Sequence, residues 1–143
     1  MTTTLRSAIN SKLTGDSTLM VILTGGLHDQ TEISRTGTSS AYDSRGDLKP
    51  CAVLRMSART PKEPFDDAAD AYFYIYFYQK PGGYTSIDAA MDRAWTLLHT
   101  QQVTIDPGFV YEIRHANDLG DSWDDALGCP MSYSRYHVVL LRS

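Results

Sequence analysis

The stretch AYFYIYFY, Ala71 to Tyr78, carries the fold. Side chains alternate across a strand, so Tyr72, Tyr74, Tyr76 and Tyr78 fall on one face, and Ala71, Phe73, Ile75 and Phe77 on the other. A strand with one wet face alternates apolar residues with charged or small polar ones. Here both faces are aromatic, and each needs a cover. The following pattern, TSIDAAMDRAWTLLHT, supplies one cover. Ile87, Met91, Ala94, Trp95 and Leu98 share one helical face, which suits packing on Phe73, Ile75 and Phe77. Thr85 is the expected N-cap. Asp88 stands three residues on, as in a capping box, and suits the positive end of the helix dipole, while His99 lies near the negative end.

Upstream, PCAVLRMSA alternates as a strand, with Pro50 at a tolerated opening position. RTPKEPFDDAAD, with its two prolines, reads as a broad turn region between two antiparallel strands. At the N-terminus, Leu5, Ala8, Ile9 and Leu13 form a helical stripe in TTLRSAINSKL. STLMVIL reads as a second short helix, capped by Asp16 or Ser17 and closed at Gly25-Gly26, although Met20 to Leu23 would also suit a strand. Residues 27–49 are a long polar connection, with a short strand expected near Thr31 to Arg35. Downstream, FVYEIRHAN and CPMSYSRYHVVLLR read as strands flanking the loop DLGDSWDDALG. The expectation is a single α+β domain over residues 1–143. It has N-terminal helices, a mostly antiparallel sheet of about four strands, and one main helix on one face, a ββαββ core.

The totals agree. At 143 residues, with 42% hydrophobic and 21% charged residues, the chain has the composition of one globular domain. The longest wholly apolar or aromatic run is the strand above, far too short to span a bilayer as a helix. MTTTLRSAINSKL has no continuous apolar core of a secretory signal. A soluble chain made in the cytoplasm, with no membrane partner, is expected. A net charge of −4 argues against a nucleic-acid binder, which usually carries a basic excess. Cys51 and Cys129 belong to no CxxC pair and read as small buried hydrophobes. A disulfide would require them to face each other in an oxidising place.

Signatures of catalysis are missing: there is no GxSxG, P-loop, GxGxxG, HExxH or EF-hand pattern. His28, His99, His115 and His137 are scattered, none at a metal-ligand spacing with another. No catalytic, cofactor or metal residues are therefore assigned. Asp118, Asp121, Asp124 and Asp125 crowd one loop, which reads as a solvated acidic turn rather than a cation site. Trp123 in its midst either packs back on the core or anchors a partner. The four tyrosines, at roughly 150 Å² each, would present on the order of 600 Å², about the largest apolar patch of a typical monomer. Either the chain's own helices and cross-strand side chains cover them, or another subunit or a lumen does. Tyr72, Tyr74, Tyr76, Tyr78 and Trp123 are the candidate interface residues.

The whole layout resembles the tail terminator proteins of tailed phages and the similar tail-completion and head–tail joining proteins. The likeness rests on a helical LRSAINSKLTGDSTLMVILTGG, a loop, and a strand like KPCAVLRM. A strong strand and helix follow in AYFYIYFYQKPGGYTSIDAAMDRAWTLLH, and paired closing strands end at RYHVVLLR. The resemblance implies a structural virion protein of the phage neck, made in the host cytoplasm and with no catalytic residues. It implies a hexameric ring that caps the tail tube protein and meets the head connector or adaptor proteins. DNA would pass through the lumen without specific binding. The rival within that class is a head-closure or adaptor protein. From other classes come a small cytosolic module holding a ligand on its aromatic face, and a hydrolase using the Asp118 to Asp125 loop with a histidine.

Overall fold

The structure is a computed structural model that describes residues 2–29, 33–34, 39–62 and 65–141. Helix α1 (Leu5–Thr14) begins where Thr4 Oγ1 accepts the Ser7 N–H at 3.1 Å, and it ends at Gly15. Helix α2 (Ser17–Ile22) is capped by Asp16, whose carboxylate accepts the Leu19 N–H at 2.8 Å. Strand β1 (Leu27–His28) follows directly. The strand expected near Thr31 to Arg35 lies largely outside the described residues, and Ile33 and Ser34 are not in a strand.

The sheet is then built from β2 (Cys51–Lys62), β3 (Phe65–Tyr78), β4 (Phe109–Asp118), β5 (Ser122–Asp124) and β6 (Cys129–Leu141), with helix α3 (Thr85–Leu98) between β3 and β4. Its order is β1-β2-β3-β6-β4, with β5 also on β6. Six strands replace the expected four or so, because the two-residue β1 and the three-residue β5 add short pieces to the main ones. All neighbours are antiparallel except β1 and β2. The expected turn region over residues 59–70 is largely strand, since β2 and β3 leave only residues 63 and 64 between them. Pairing resumes at Arg59 with Ala71 after an irregularity beyond Met56. Pro61 fits because β1 pairs with β2 only at Ala52 and Val53, and an edge strand tolerates a residue without an N–H.

All three helices lie on the Phe73 face. Leu5, Ile9, Leu13, Leu19 and Leu23 join Ile87, Ala90, Ala94 and Leu98 over Leu54, Phe73, Ile75, Phe77, Tyr136 and Val138 in one core. The N-terminal helices therefore do not cover the tyrosines. Arg93 on α3 clamps the Asp16 cap through two bonds of 2.9 and 2.7 Å, tying α2 to α3.

Two details of α3 differ from expectation. Thr85 is its first residue rather than its cap. Tyr84 holds the cap position without a side-chain bond, and Gln79 Oε1 accepts the Ile87 N–H instead. The buried stripe runs through Ile87, Ala90, Ala94 and Leu98, while Trp95 is 46% exposed and stacks on His99. Two alanines let the helix lie close over a sheet already filled by Phe73, Phe77 and Tyr136, and an indole there would overfill it.

Candidate interaction surface

The opposite face of the sheet carries the tyrosines. Register sets their neighbours: Tyr72 faces His137, Tyr74 lies between Arg55 and Arg135, and Tyr76 lies between Val53 and Tyr133. The rings of Tyr74, Tyr76 and Tyr133 form a triangle with centroids 5.3 to 5.9 Å apart. Tyr72 stacks obliquely on His137 at 4.9 Å. Arg135 places its guanidinium 4.1 Å from the Tyr72 ring centre, and Arg55 lies 5.1 Å from that of Tyr76, both cation–π distances. These side chains cover one another sideways and stay half-buried, with Arg55 exposed. Asp70 closes the row, its carboxylate 2.7 Å from His137 Nε2.

Tyr78 differs from its three companions. It is buried in a second, smaller core with Ile33, Ala41, Leu48, Cys51, Val53 and Cys129. The connection before β2 makes this lid, held by Asp43 Oδ1, which accepts the Arg45 and Asp47 N–H groups at 2.9 and 3.0 Å. Those backbone donors, that of Asp47 first, lower the Asp43 carboxyl below its usual range. Burial raises the Tyr78 hydroxyl to about 12, the Cys51 thiol to about 12 and the Cys129 thiol to about 11. Both thiols are free and buried, as small hydrophobes would be.

Trp123 lies apart from the tyrosines. Its loop is partly strand: β5 pairs with β6, Trp123 facing Pro130. Cys129 and Met131 on either side belong to the tyrosine side, so the register turns Trp123 toward the helix side, where it is 50% exposed. Tyr84 Oη donates to Ser122 O at 2.7 Å and fixes this corner to the start of α3. Asp118 accepts from Ser134 Oγ at 2.7 Å and lies 2.7 Å from His115 Nε2, and Asp124 accepts the Leu127 N–H at 2.8 Å. Asp121 and Asp125 are exposed. Among the described residues no three His, Cys, Asp or Glu side chains gather as metal ligands. Likewise, no described helix is long and apolar enough to cross a membrane.

The structure thus joins Tyr72, Tyr74 and Tyr76 in one surface, seals Tyr78 beneath a loop, and sets Trp123 on a separate corner. Arg55, Tyr133, Arg135 and His137 complete the surface and were not singled out from the sequence. The alternation in MSYSRYHV carried the signal, but its serines mark the buried side. Ser132 Oγ donates to Leu119 O and Ser134 Oγ to Asp118, which lets small polar residues lie under the helices.

No protein-family model matches the sequence, and no curated protein matches it. The fold does have a counterpart among solved structures. A chain in the virion of a native gene transfer agent (GTA) particle superposes with a TM-score of 0.72, over 96% of this chain and 94% of that one. Identity across the match is 12%, so the likeness is one of fold.

Proposed function

We propose that this chain is a structural protein of a phage-like virion. Within the virion, we assign it to the neck as a tail terminator: a ring of copies that caps the tail tube, meets the head connector and lets DNA through its lumen. The observation that carries the reading is the end-to-end fold likeness to a chain of the gene transfer agent virion. The finer position rests on the order of elements, two helices, a long hairpin, a helix and paired strands, which is the layout that tail terminators resemble. A ring needs two unlike patches on each copy, meeting head to tail. The half-buried tyrosine face and the Trp123 corner, on different sides of the sheet, suit that need. A net charge of −4 suits a channel that passes DNA without holding it. The reading gives the chain no enzymatic step and no cofactor.

Light scattering with negative-stain imaging of the same peak tests the ring. Six chains of 15.9 kDa would give about 95 kDa. A tube assay tests the position: the protein should bind tube ends and stop growth when added to polymerising tail tube protein. Binding to a portal-side ring instead would reassign it to the adaptor. Binding to neither would overturn the neck assignment.

A further inference from the structure

Strand β4 ends the sheet, yet its outward edge is occupied. Residues 99–102, between α3 and β4, lie along it as a strap. Thr100 donates its N–H to Ile113 O at 2.8 Å, and the Ile113 N–H returns to Gln101 O at 2.9 Å. Gln102 Nε2 donates to Tyr111 O at 2.7 Å. The fourth bond differs in kind: the His115 N–H donates to His99 Nδ1 at 3.0 Å. A backbone amide can only donate, so this ring nitrogen holds its lone pair and the ring proton sits on Nε2. The ring contacts of His28, His115 and His137 run from Nε2 to oxygens, which a protonated ring serves equally well. His99 is the histidine whose contact acid would break.

Two further features make the strap a poised one. Thr100 is β-branched and has a φ of 62°, in the left-handed region that such residues avoid. His99 also stacks on Trp95, with ring centres 4.8 Å apart and planes 19° apart, and an indole face is a good seat for a cation. A neutral His99 therefore serves both β4 and the indole, and a protonated one keeps only the indole. Protons can reach it, since His99 is half-buried and Trp95 exposed.

The elements around His99 carry few other charges. The last turn of α3 has no basic residue, Asp92 is exposed, and Arg93 is bonded to Asp16. Residues 100–102 have no titratable side chain. On β4, Arg114 is bonded to Glu112, and the His115 ring lies 2.7 Å from Asp118. Protonating His115 would tighten that pair, an effect of opposite sense. On β6, Tyr136 meets the His115 ring edge-on, and burial raises its hydroxyl so that it stays neutral.

We propose that His99 is a pH-sensitive latch. Neutral, it pins the strap to the His115 end of β4. Protonated, it releases that end and bares the edge N–H. The inference is independent of the neck assignment.

The test is nuclear magnetic resonance on the full chain between about pH 8 and about pH 5, the range in which imidazoles change charge. At the upper limit, His99 should be the Nε2–H tautomer. On acidification the residue-115 amide should lose about tenfold or more of its protection from hydrogen exchange, after correction for the intrinsic rate, as one bond is lost. The Ile113 amide, bonded to Gln101 O, should lose far less. His99→Asn keeps an acceptor near the same place without a titrating ring, and should hold residue 115 protected throughout. His115→Gln keeps the backbone donor and removes the competing titration, so the loss should persist. His99→Ala should leave residue 115 open at both limits. Should that variant fail to fold, His99→Asn carries the test. An Nδ1–H tautomer at the upper limit overturns the proposal. So does a loss that survives His99→Asn, a loss that disappears in His115→Gln, or an equal loss at Ile113.

Discussion

Strand β3 has two aromatic faces with different fates. Phe73, Ile75 and Phe77 are 0%, 1% and 1% exposed under three helices, whereas Tyr72, Tyr74 and Tyr76 stay half-buried among their cross-strand neighbours. The covered face is held by volume, because helices on a filled sheet leave little room for error. The tyrosine face is held by lateral ring and guanidinium contacts between half-buried side chains. Stability should therefore reside on one side of the sheet, leaving the other free to meet a partner. The sharpest way to break this contrast is a matched pair of truncations on adjacent residues. Phe73→Ala should cost about 3–5 kcal/mol in urea denaturation. Tyr74→Ala removes cross-strand ring contacts and should cost about 1–2 kcal/mol. Equal costs would mean that the two faces are not distinct.

The contrast fades at one end of the sheet, where the loop before β2 folds over Tyr78. There Gly25 donates its N–H to Pro50 O at 2.8 Å, and a Cβ added to it would stand 2.9 Å from Cys51 Cβ and 3.0 Å from Pro50 O. Two backbone segments meet too closely for any side chain. Gly25→Ala should destabilise by about 1–3 kcal/mol, the ordinary cost of overpacking. It should also speed alkylation of Cys51 at pH 8, since burial holds that thiol near 12 in the native protein. Unchanged stability and thiol reactivity would show that this end of the tyrosine side is as loose as its centre.

The two sides were not equally legible in the sequence. Alternation through residues 71–78 and the stripe Leu5, Ala8, Ile9 and Leu13 gave the strand and the first helix directly, because both patterns are local. Strand order was not legible: β6 lies between β3 and β4 although it follows both in sequence, and no short window encodes that. The candidate surface suffered most. Tyr72, Tyr74 and Tyr76 stood out, but Tyr133, Arg135 and His137 come from a strand far along the chain, and only register brings them alongside. The prolines of RTPKEPFDD hid the distal part of the β2–β3 hairpin for the opposite reason: local propensity said turn, and cross-strand pairing overrode it.

The helix layer has its own link, which titration can isolate. The Arg93 guanidinium, bonded to both oxygens of Asp16, holds that carboxyl down at about 2, against an ordinary 3.8. A folded-state value below the unfolded one contributes stability that is present above about pH 4 and lost as the pH falls toward 2. Asp16→Asn should therefore flatten the acid limb of the stability curve in that window. Among tyrosine-side acids, Asp43 is the one to compare, because backbone donors also lower it. If Asp16→Asn leaves the slope unchanged, the α2–α3 tie does not stabilise the covered side.

The smallest effect is expected at Trp95. A tryptophan at i+8 of a helical stripe would ordinarily belong to the core, and Trp95→Ala would then cost several kcal/mol. Its ring instead stacks on His99 at the surface, 46% exposed, while Ala94 and Leu98 take the inward positions at 0%. Trp95→Ala should shift stability by no more than about 0.5 to 1 kcal/mol, and Leu98→Ala, three residues on, by about 2–5 kcal/mol. The pair asks whether depth alone sets the cost on the covered side. A large loss at Trp95 would place its indole against the sheet, turning α3 by most of one residue's rotation and setting Ala94 off the core. The close approach of α3 to Phe73 and Tyr136 would then need a different explanation.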